Sequence, residues 1–253
     1  GAKVANPELT VWQITGDGDC LAIGGNHFIH SVRRNVDLNV LLFNNQIYGL
    51  TKGQYSPTTQ KGFVTKSSPF GTIERPFRPA ELALGARATF FARTLDVDLK
   101  TAQYVLLQAA KHKGTSVVEC LVNCVIFNDG AHKWLSEKEH RAERTIVLEH
   151  GKPMIFGAQR DKGLILDGLN LKVVKIGEQG INESDLLIHD ATCTDTILHT
   201  MLALMQGPEF PVAMGVIRNV NEESYENALV AQIAEVRQKS SVLSFDDLIN
   251  SCE

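Results

Sequence analysis

The sequence predicts an α/β protein built on a mostly parallel, doubly wound sheet. Short apolar runs of strand length recur along the chain, and stretches of helical periodicity separate them. The first two runs, residues 9–14 and 38–43, are joined by a single helix-length segment, the spacing of a βαβ unit whose strands lie parallel. The chain has 253 residues, 43% hydrophobic and 21% charged, which is enough apolar material for a sizeable core.

Residues 9–14 are apolar at nearly every position, as a strand covered on both faces would be. Residues 24–35 read as a helix, with Phe28, Ile29 and Val32 on one side and Arg33 and Arg34 near its C-terminal end, where the helix dipole favours cations. Residues 44–79 show no helical period. They hold Gly49, Gly53, Pro57, Gly62, Pro69, Gly71, Pro76 and Pro79 among threonines and serines, far beyond the roughly 4–6 residues of an ordinary connection, so a functional loop is expected. A helix follows over 80–88 and a short strand over 89–95. Asp98 is placed to cap a helix running through 113, and 116–122 make another strand. Residues 145–176 read as hairpin-like, turning at Gly151-Lys152-Pro153. A helix near 194–206, a strand near 212–218 and an acidic helix near 222–238 complete the chain.

Composition excludes several classes. The net charge is −4 and no run of lysine or arginine exceeds Arg33-Arg34, so no nucleic-acid partner is expected. No apolar stretch approaches the roughly 20 residues of a membrane span, and no signal peptide is visible. The five cysteines, Cys20, Cys120, Cys124, Cys193 and Cys252, are odd in number, spread out and form no CxxC pair, which fits a reducing, cytoplasmic setting. Gly1-Ala2-Lys3-Val4-Ala5 reads as the tail of a helix, so the chain is expected to begin inside a fold.

Chemistry concentrates at the ends of the first two strands. The stretch Thr15-Gly16-Asp17-Gly18-Asp19-Cys20 follows the first, and Asn44-Asn45 follows the second. Carboxyl ends of parallel strands are where open sheets bind ligands, and the crossover brings Asp17 and Asn45 side by side. One carboxylate with one amide oxygen is a hard donor set suited to Mg²⁺, which completes its octahedron with water and substrate phosphates. Gly16 and Gly18 let the backbone approach those phosphates, and the N–H groups that follow can donate to them. A calcium loop fails at its twelfth position, where Phe28 stands in place of glutamate. A plain turn is the simple alternative for the glycine–aspartate run alone.

GDG followed by NN resembles the thiamine-diphosphate motif. The longer run GDGDCLAIGGNHFIHSVRRNVDLNVLLFNNQIYGLTKGQYSPTT, with FNDG after Cys124 and EFPVAMGVIRNV further on, is similar to the beta subunits of 2-oxoacid:ferredoxin oxidoreductases, in particular the 2-oxoglutarate type. The resemblance implies the thiamine-diphosphate-binding (pyrimidine/diphosphate) type of fold. It also implies one domain over 1–253, truncated at its N-terminus, with a C-terminal extension from about 210. By that resemblance Asp17 and Asn45 hold Mg²⁺ by their side chains and Ile47 by its carbonyl. Gly16, Gly18, Asp19 and Cys20 lie along the diphosphate, Cys20 in place of the expected alanine. Tyr48, Gly49 and Leu50 lie by the thiazolium, and Thr51 and Lys52 face the substrate. Lys52, on a glycine-flanked loop, also suits the distal carboxylate of 2-oxoglutarate, its alternative being a solvated surface lysine.

Four residues on a strand span about 13 Å, so Cys120 and Cys124 are too far apart to share a metal, and Cys120 reads as a core residue. The resemblance makes Cys124 the last ligand of a [4Fe–4S] cluster whose other three ligands, including a CPGC-like segment, are not in this chain. His27 and His30 lack partners for a metal, His189 reads as a strand-end hydrogen bonder, and Cys193 and Cys252 as incidental. Two functions stay open. One is the thiamine-diphosphate subunit of an enzyme that converts a 2-oxoacid and coenzyme A to acyl-CoA and reduces ferredoxin, with an alpha subunit completing the cofactor pocket. The other is a non-catalytic fragment or assembly module that keeps the fold without the cluster.

Overall fold

The computed structural model describes residues 1–240, 242 and 244–250, so Cys252 lies outside the described residues. In chain order the elements are α1 (Ala2–Ala5), β1 (Trp12–Gly16), α2 (Asp17–Leu21), α3 (Gly25–Arg33), β2 (Asn39–Asn44), α4 (Pro79–Gly85), β3 (Phe90–Leu95), α5 (Leu99–Lys111) and β4 (Ser116–Leu121). They continue with α6 (Lys133–Ser136), α7 (Lys138–Arg144), β5 (Thr145–Leu148), β6 (Ile155–Phe156), β7 (Lys162–Asp167), β8 (Asn170–Lys175), α8 (Ile197–Leu204), β9 (Val212–Asn219), α9 (Tyr225–Lys239) and α10 (Phe245–Asn250).

The main sheet runs β1-β2-β4-β3-β9-β5. Strands β1 to β4 are mutually parallel, β9 is antiparallel to β3, and β5 is parallel to β9. The α/β class and the mostly parallel sheet predicted from the sequence are both present. Successive side chains on a strand point to opposite faces. Phe90 and Phe91 are adjacent on β3 and both fully buried, Phe91 against a cluster with α3 and α4, Phe90 against one with α5. Helices therefore cover both faces at the centre of the sheet. Each fully buried phenylalanine stabilises by roughly 1.5–3 kcal/mol. Asp98 caps α5 as the sequence indicates, accepting from the Thr101 N–H at 3.1 Å.

Two expectations change. The first strand is not covered on both faces: β1 pairs only with β2, at the end of the sheet, and Ile14 is 59% exposed. Its apolar run marks a strand, but an edge position leaves one side without a neighbouring strand. Residues 145–176 are not a simple hairpin. Thr145–Leu148 joins the main sheet beside β9, while β6, β7 and β8 form a separate three-stranded antiparallel sheet with a tight turn at Gly168-Leu169. The turn expected at 151–153 is present, with the Lys152 N–H donating to the Glu149 carbonyl at 3.1 Å. Strand β1 passes directly into the one-turn helix α2, and Asp17 is buried at its start. Strand β9, which opens the expected C-terminal extension, lies within the main sheet between β3 and β5.

Candidate functional site

Register builds the site. Gly16 pairs with Phe43, so Asp17 and Asn44 leave the sheet next to each other, and Asn44 is paired in turn with Leu121 of β4. Asp17 is the first residue of α2, with Gly16 as its N-cap, and only 1% of it is exposed. Burial pushes its carboxyl above the ordinary value, while hydrogen bonds from Ser56, Thr58 and the backbone of Asp17 and Asn45 pull it back. Among the described residues, no cationic side chain is among the groups that act on it. A desolvated carboxylate without a positive partner is costly, and a bound cation relieves that cost.

The partners of Asp17 come from the long loop. The Ser56 and Thr58 hydroxyls both donate to Asp17 Oδ2, each at 2.5 Å. Thr58 Oγ1 also lies 3.0 Å from Asn44 Oδ1. The Asn44 amide donates to Glu119 Oε1 at 2.8 Å, and Glu119 Oε2 accepts from Arg93 Nε at 2.7 Å. Arg93 and Glu119 are directly paired across β3 and β4, and both are buried.

The chain reverses sharply after β2. Asn45 Oδ1 accepts from the Ile47 N–H at 3.1 Å, an Asx turn, and Gln46 takes a left-handed φ of 59°. The Thr59 hydroxyl donates to the Gln46 carbonyl at 2.6 Å, and Asn128 donates to the Asn45 carbonyl at 3.0 Å. His132 Nε2 lies 2.9 Å from the Asn44 carbonyl. Thus the SPTT and FNDG stretches both brace the second half of the Asp17–Asn45 site.

Gly18 is required by Tyr48. The tyrosine donates to the Gly18 carbonyl at 3.1 Å, and a Cβ on Gly18 would lie 2.1 Å from its ring. Gly18→Ala is therefore expected to expel the ring and destabilise the chain by about 1–3 kcal/mol in urea unfolding, with partial recovery in Gly18→Ala/Tyr48→Ala. Unchanged stability of the single variant would refute this packing.

Other predicted residues are placed differently. Asp19 is exposed, whereas Cys20 is buried in the core and its thiol is pushed up to about 12, first by burial and then by Asp17 and Asp19. Cys20 is thus a neutral core thiol, and only its backbone is available to a ligand. Ile47 is buried and Gly49 half-buried, while Leu50 is 97% exposed and Thr51 and Lys52 are exposed. The turn holding them is closed by Lys52 N–H to Gly49 at 3.0 Å and Gly53 N–H to Tyr48 at 2.9 Å. The structure therefore joins Asp17, Gly18, Asn45, Ile47 and Tyr48, and leaves Leu50, Thr51 and Lys52 on the rim. A cleft of about 430 Å³ opens beside them, lined by Ala22, Tyr48, Gln54, Tyr55, Ser56 and Glu74 among others.

Cys120 is buried in β4 with its thiol pushed up to about 12, as a core residue. Cys124 lies just past β4, half-buried, its carbonyl accepting from the Asn128 N–H. Among the described residues no group of three or more His, Cys, Asp or Glu side chains converges to hold a metal. These residues do not by themselves fit an iron–sulfur cluster, which generally takes four thiolates. The Asp17 carboxylate, the Asn45 amide oxygen and the Ile47 carbonyl are by contrast an oxygen-only set that fits Mg²⁺. Sequence reasoning missed Ser56, Thr58, Thr59, Arg93 and Glu119. The visible signals were the hydroxyl-rich SPTT run and a lone charge in each of two mostly apolar strands.

Residues 1–120 match the family described as thiamine pyrophosphate enzyme, C-terminal TPP binding domain. The fold is thus of the thiamine-diphosphate-binding type. Beyond that fold, the chain is similar to the beta subunits of 2-oxoacid:ferredoxin oxidoreductases. It is 44% identical over 238 residues to 2-oxoglutarate oxidoreductase subunit KorB of Mycobacterium tuberculosis, covering 94% of this chain and 63% of that protein. It is 48% identical over 124 residues to 2-oxoglutarate synthase subunit KorB of Archaeoglobus fulgidus, covering 49% of this chain and 46% of that one. Among solved structures it resembles the 2-oxoglutarate:ferredoxin oxidoreductase of Magnetococcus marinus with 2-oxoglutarate, coenzyme A and succinyl-CoA bound, with a TM-score of 0.69 and 25% identity over 100% of this chain and 70% of that one. The chain spans less than two thirds of the length of these curated relatives. The resemblance drawn from the sequence is borne out.

Proposed function

We propose that this chain is the thiamine-diphosphate- and Mg²⁺-binding subunit of a cytoplasmic oxidoreductase that oxidatively decarboxylates a 2-oxoacid, 2-oxoglutarate first, to its acyl-CoA and reduces ferredoxin. The observation that carries the reading is the buried Asp17 carboxylate, hydrogen-bonded by the Asn45 backbone at the ends of two parallel strands. In this reading residues 1–253 act as one domain. Asp17, Asn45 and the Ile47 carbonyl hold Mg²⁺, and Gly16, Gly18 and the backbone of Asp19 and Cys20 approach the diphosphate. Thiamine diphosphate supplies the carbanion-stabilising chemistry of decarboxylation when bound. The chain's own part is to fix the cofactor, and an alpha subunit closes the pocket over the exposed rim of Leu50, Thr51 and Lys52. Leu50 then packs on the cofactor beside Tyr48 and Gly49. Cys124 is proposed as one ligand of a [4Fe–4S] cluster with three thiolates outside this chain.

Lys52, exposed on its turn, is proposed to pair with the distal carboxylate of 2-oxoglutarate. A hydrogen bond to a charged group contributes about 1.5–3 kcal/mol, so Lys52→Ala should raise KM for 2-oxoglutarate by about 10–100-fold and leave that for pyruvate nearly unchanged. Equal effects on both substrates would remove Lys52 from this role. The function itself is tested by reconstitution with the alpha subunit. Reduction of ferredoxin that requires 2-oxoglutarate, coenzyme A, thiamine diphosphate and Mg²⁺ is expected. A stable complex that binds the cofactor neither alone nor with its partner would instead identify a non-catalytic module.

A further inference from the structure

We propose that Ser56 and Thr58 are positioning residues that make Asp17 offer a single carboxylate oxygen to its metal, and so favour Mg²⁺ over Ca²⁺. The inference rests on the Mg²⁺ site proposed above. Two hydroxyls converge on the same oxygen, Oδ2, and Ser56, Thr58 and Asp17 are all at most 2% exposed. Both hydroxyls sit on Oδ2, and the backbone N–H groups of Asp17 and Asn45 also reach the carboxylate. Oδ1, which no side chain among the described residues occupies, is the oxygen offered for coordination.

The hydroxyls are themselves held. The Ser56 N–H donates to Thr59 Oγ1 at 2.8 Å, and Thr59 is tied to the Gln46 carbonyl just past β2. Thr58 is flanked by Asn44 Oδ1, and the Asn44 amide is committed to Glu119, which Arg93 fixes in turn. The Ser56 donor is therefore anchored through Thr59 to the turn after β2, Thr58 is packed beside Asn44 at the end of that strand, and the carboxylate cannot turn its second oxygen outward without breaking two buried hydrogen bonds. Mg²⁺ demands a near-ideal octahedron, and one oxygen per carboxylate suits it. Ca²⁺ takes 6–8 oxygens and readily uses carboxylates through both. Loss of such outer partners typically lowers metal affinity about 10–100-fold.

The test compares Ser56→Ala, Thr58→Val, the double variant and Thr58→Ser in the full protein assembled with its partner subunit. Thiamine diphosphate binding is titrated calorimetrically with Mg²⁺ and separately with Ca²⁺, and thermal unfolding confirms that each variant is folded. The wild type should show its higher apparent affinity with Mg²⁺. The double variant should lose about 10–100-fold with Mg²⁺ and markedly less with Ca²⁺, shrinking the Mg²⁺/Ca²⁺ ratio, and the two single variants should each shrink it in part. Thr58→Ser, which keeps the hydroxyl, should retain the wild-type ratio. A folded set of variants with an unchanged ratio, or with equal losses for both ions, would overturn the positioning role while leaving the Mg²⁺ site intact. A wild type that binds the cofactor without any metal would overturn both.

Discussion

Asp17→Asn should abolish Mg²⁺-dependent binding of thiamine diphosphate and, in the same protein, raise the melting temperature of the cofactor-free form. The two effects have opposite signs because they have one cause. Asp17 is almost wholly buried, no cationic side chain among the described residues acts on it, and burial lifts its pKa above the ordinary 3.8. Its folded pKa therefore exceeds its unfolded one, and the folded chain holds the proton more tightly. Stability from this group is greatest below 3.8 and falls as pH rises through the raised folded value. At neutral pH the ionised carboxylate weakens the empty fold, and an isosteric amide that keeps an acceptor for Ser56 and Thr58 removes that burden. A gain of about 1 kcal/mol would appear as a rise of about 2–4 °C in a chain of this size. The difference from the wild type should vanish at pH below 3.8, where Asp17 is protonated in both states. Metal binding runs the other way: it needs the ionised form, so wild-type Mg²⁺ affinity should climb with pH through the raised pKa and then level off. A variant that melts lower than the wild type, or still binds the cofactor with Mg²⁺, would contradict this role for Asp17.

Removing one member of the buried Arg93–Glu119 pair should produce the largest loss of stability. The two side chains are 8% and 3% exposed and face each other across β3 and β4. Arg93 also donates to the carbonyls of Ala203 and Ala213, tying the sheet centre to α8 and β9. Glu119→Leu strands a buried guanidinium, for which about 3–5 kcal/mol is expected in urea unfolding. Arg93→Met/Glu119→Leu leaves no charge unpaired and should regain much of that stability. Cofactor binding should not return with it, because the Asn44 amide has still lost its acceptor and with it the fixed orientation beside Thr58. Full recovery of binding in the double variant would show that the pair serves the fold alone.

The parts of this site that sequence reading reached are those set by local pattern. The βαβ unit follows from two apolar runs around one amphipathic stretch, and it places Asp17 beside Asn45 because parallel strands end at the same edge. The parts it missed depend on non-local pairing. Ser56 and Thr58 come from a loop without period, so nothing nearby in the chain says that they reach Asp17. Arg93 and Glu119 carry charge in apolar strands, and only the β3–β4 register turns two oddities into one pair. Residues 145–148 were read into a hairpin for the same reason, since their partner β9 begins more than sixty residues later. Ile14 was read as covered because an apolar run reports strand formation and not which strand stands at the sheet's edge.

The most direct measurement is calorimetric titration of thiamine diphosphate into the chain assembled with its partner subunit, once with Mg²⁺ and once with the metal chelated. Stoichiometric binding that requires Mg²⁺ is predicted. Binding of equal strength after chelation, or none in a stable complex, would contradict a metal–diphosphate clamp between Asp17 and Asn45.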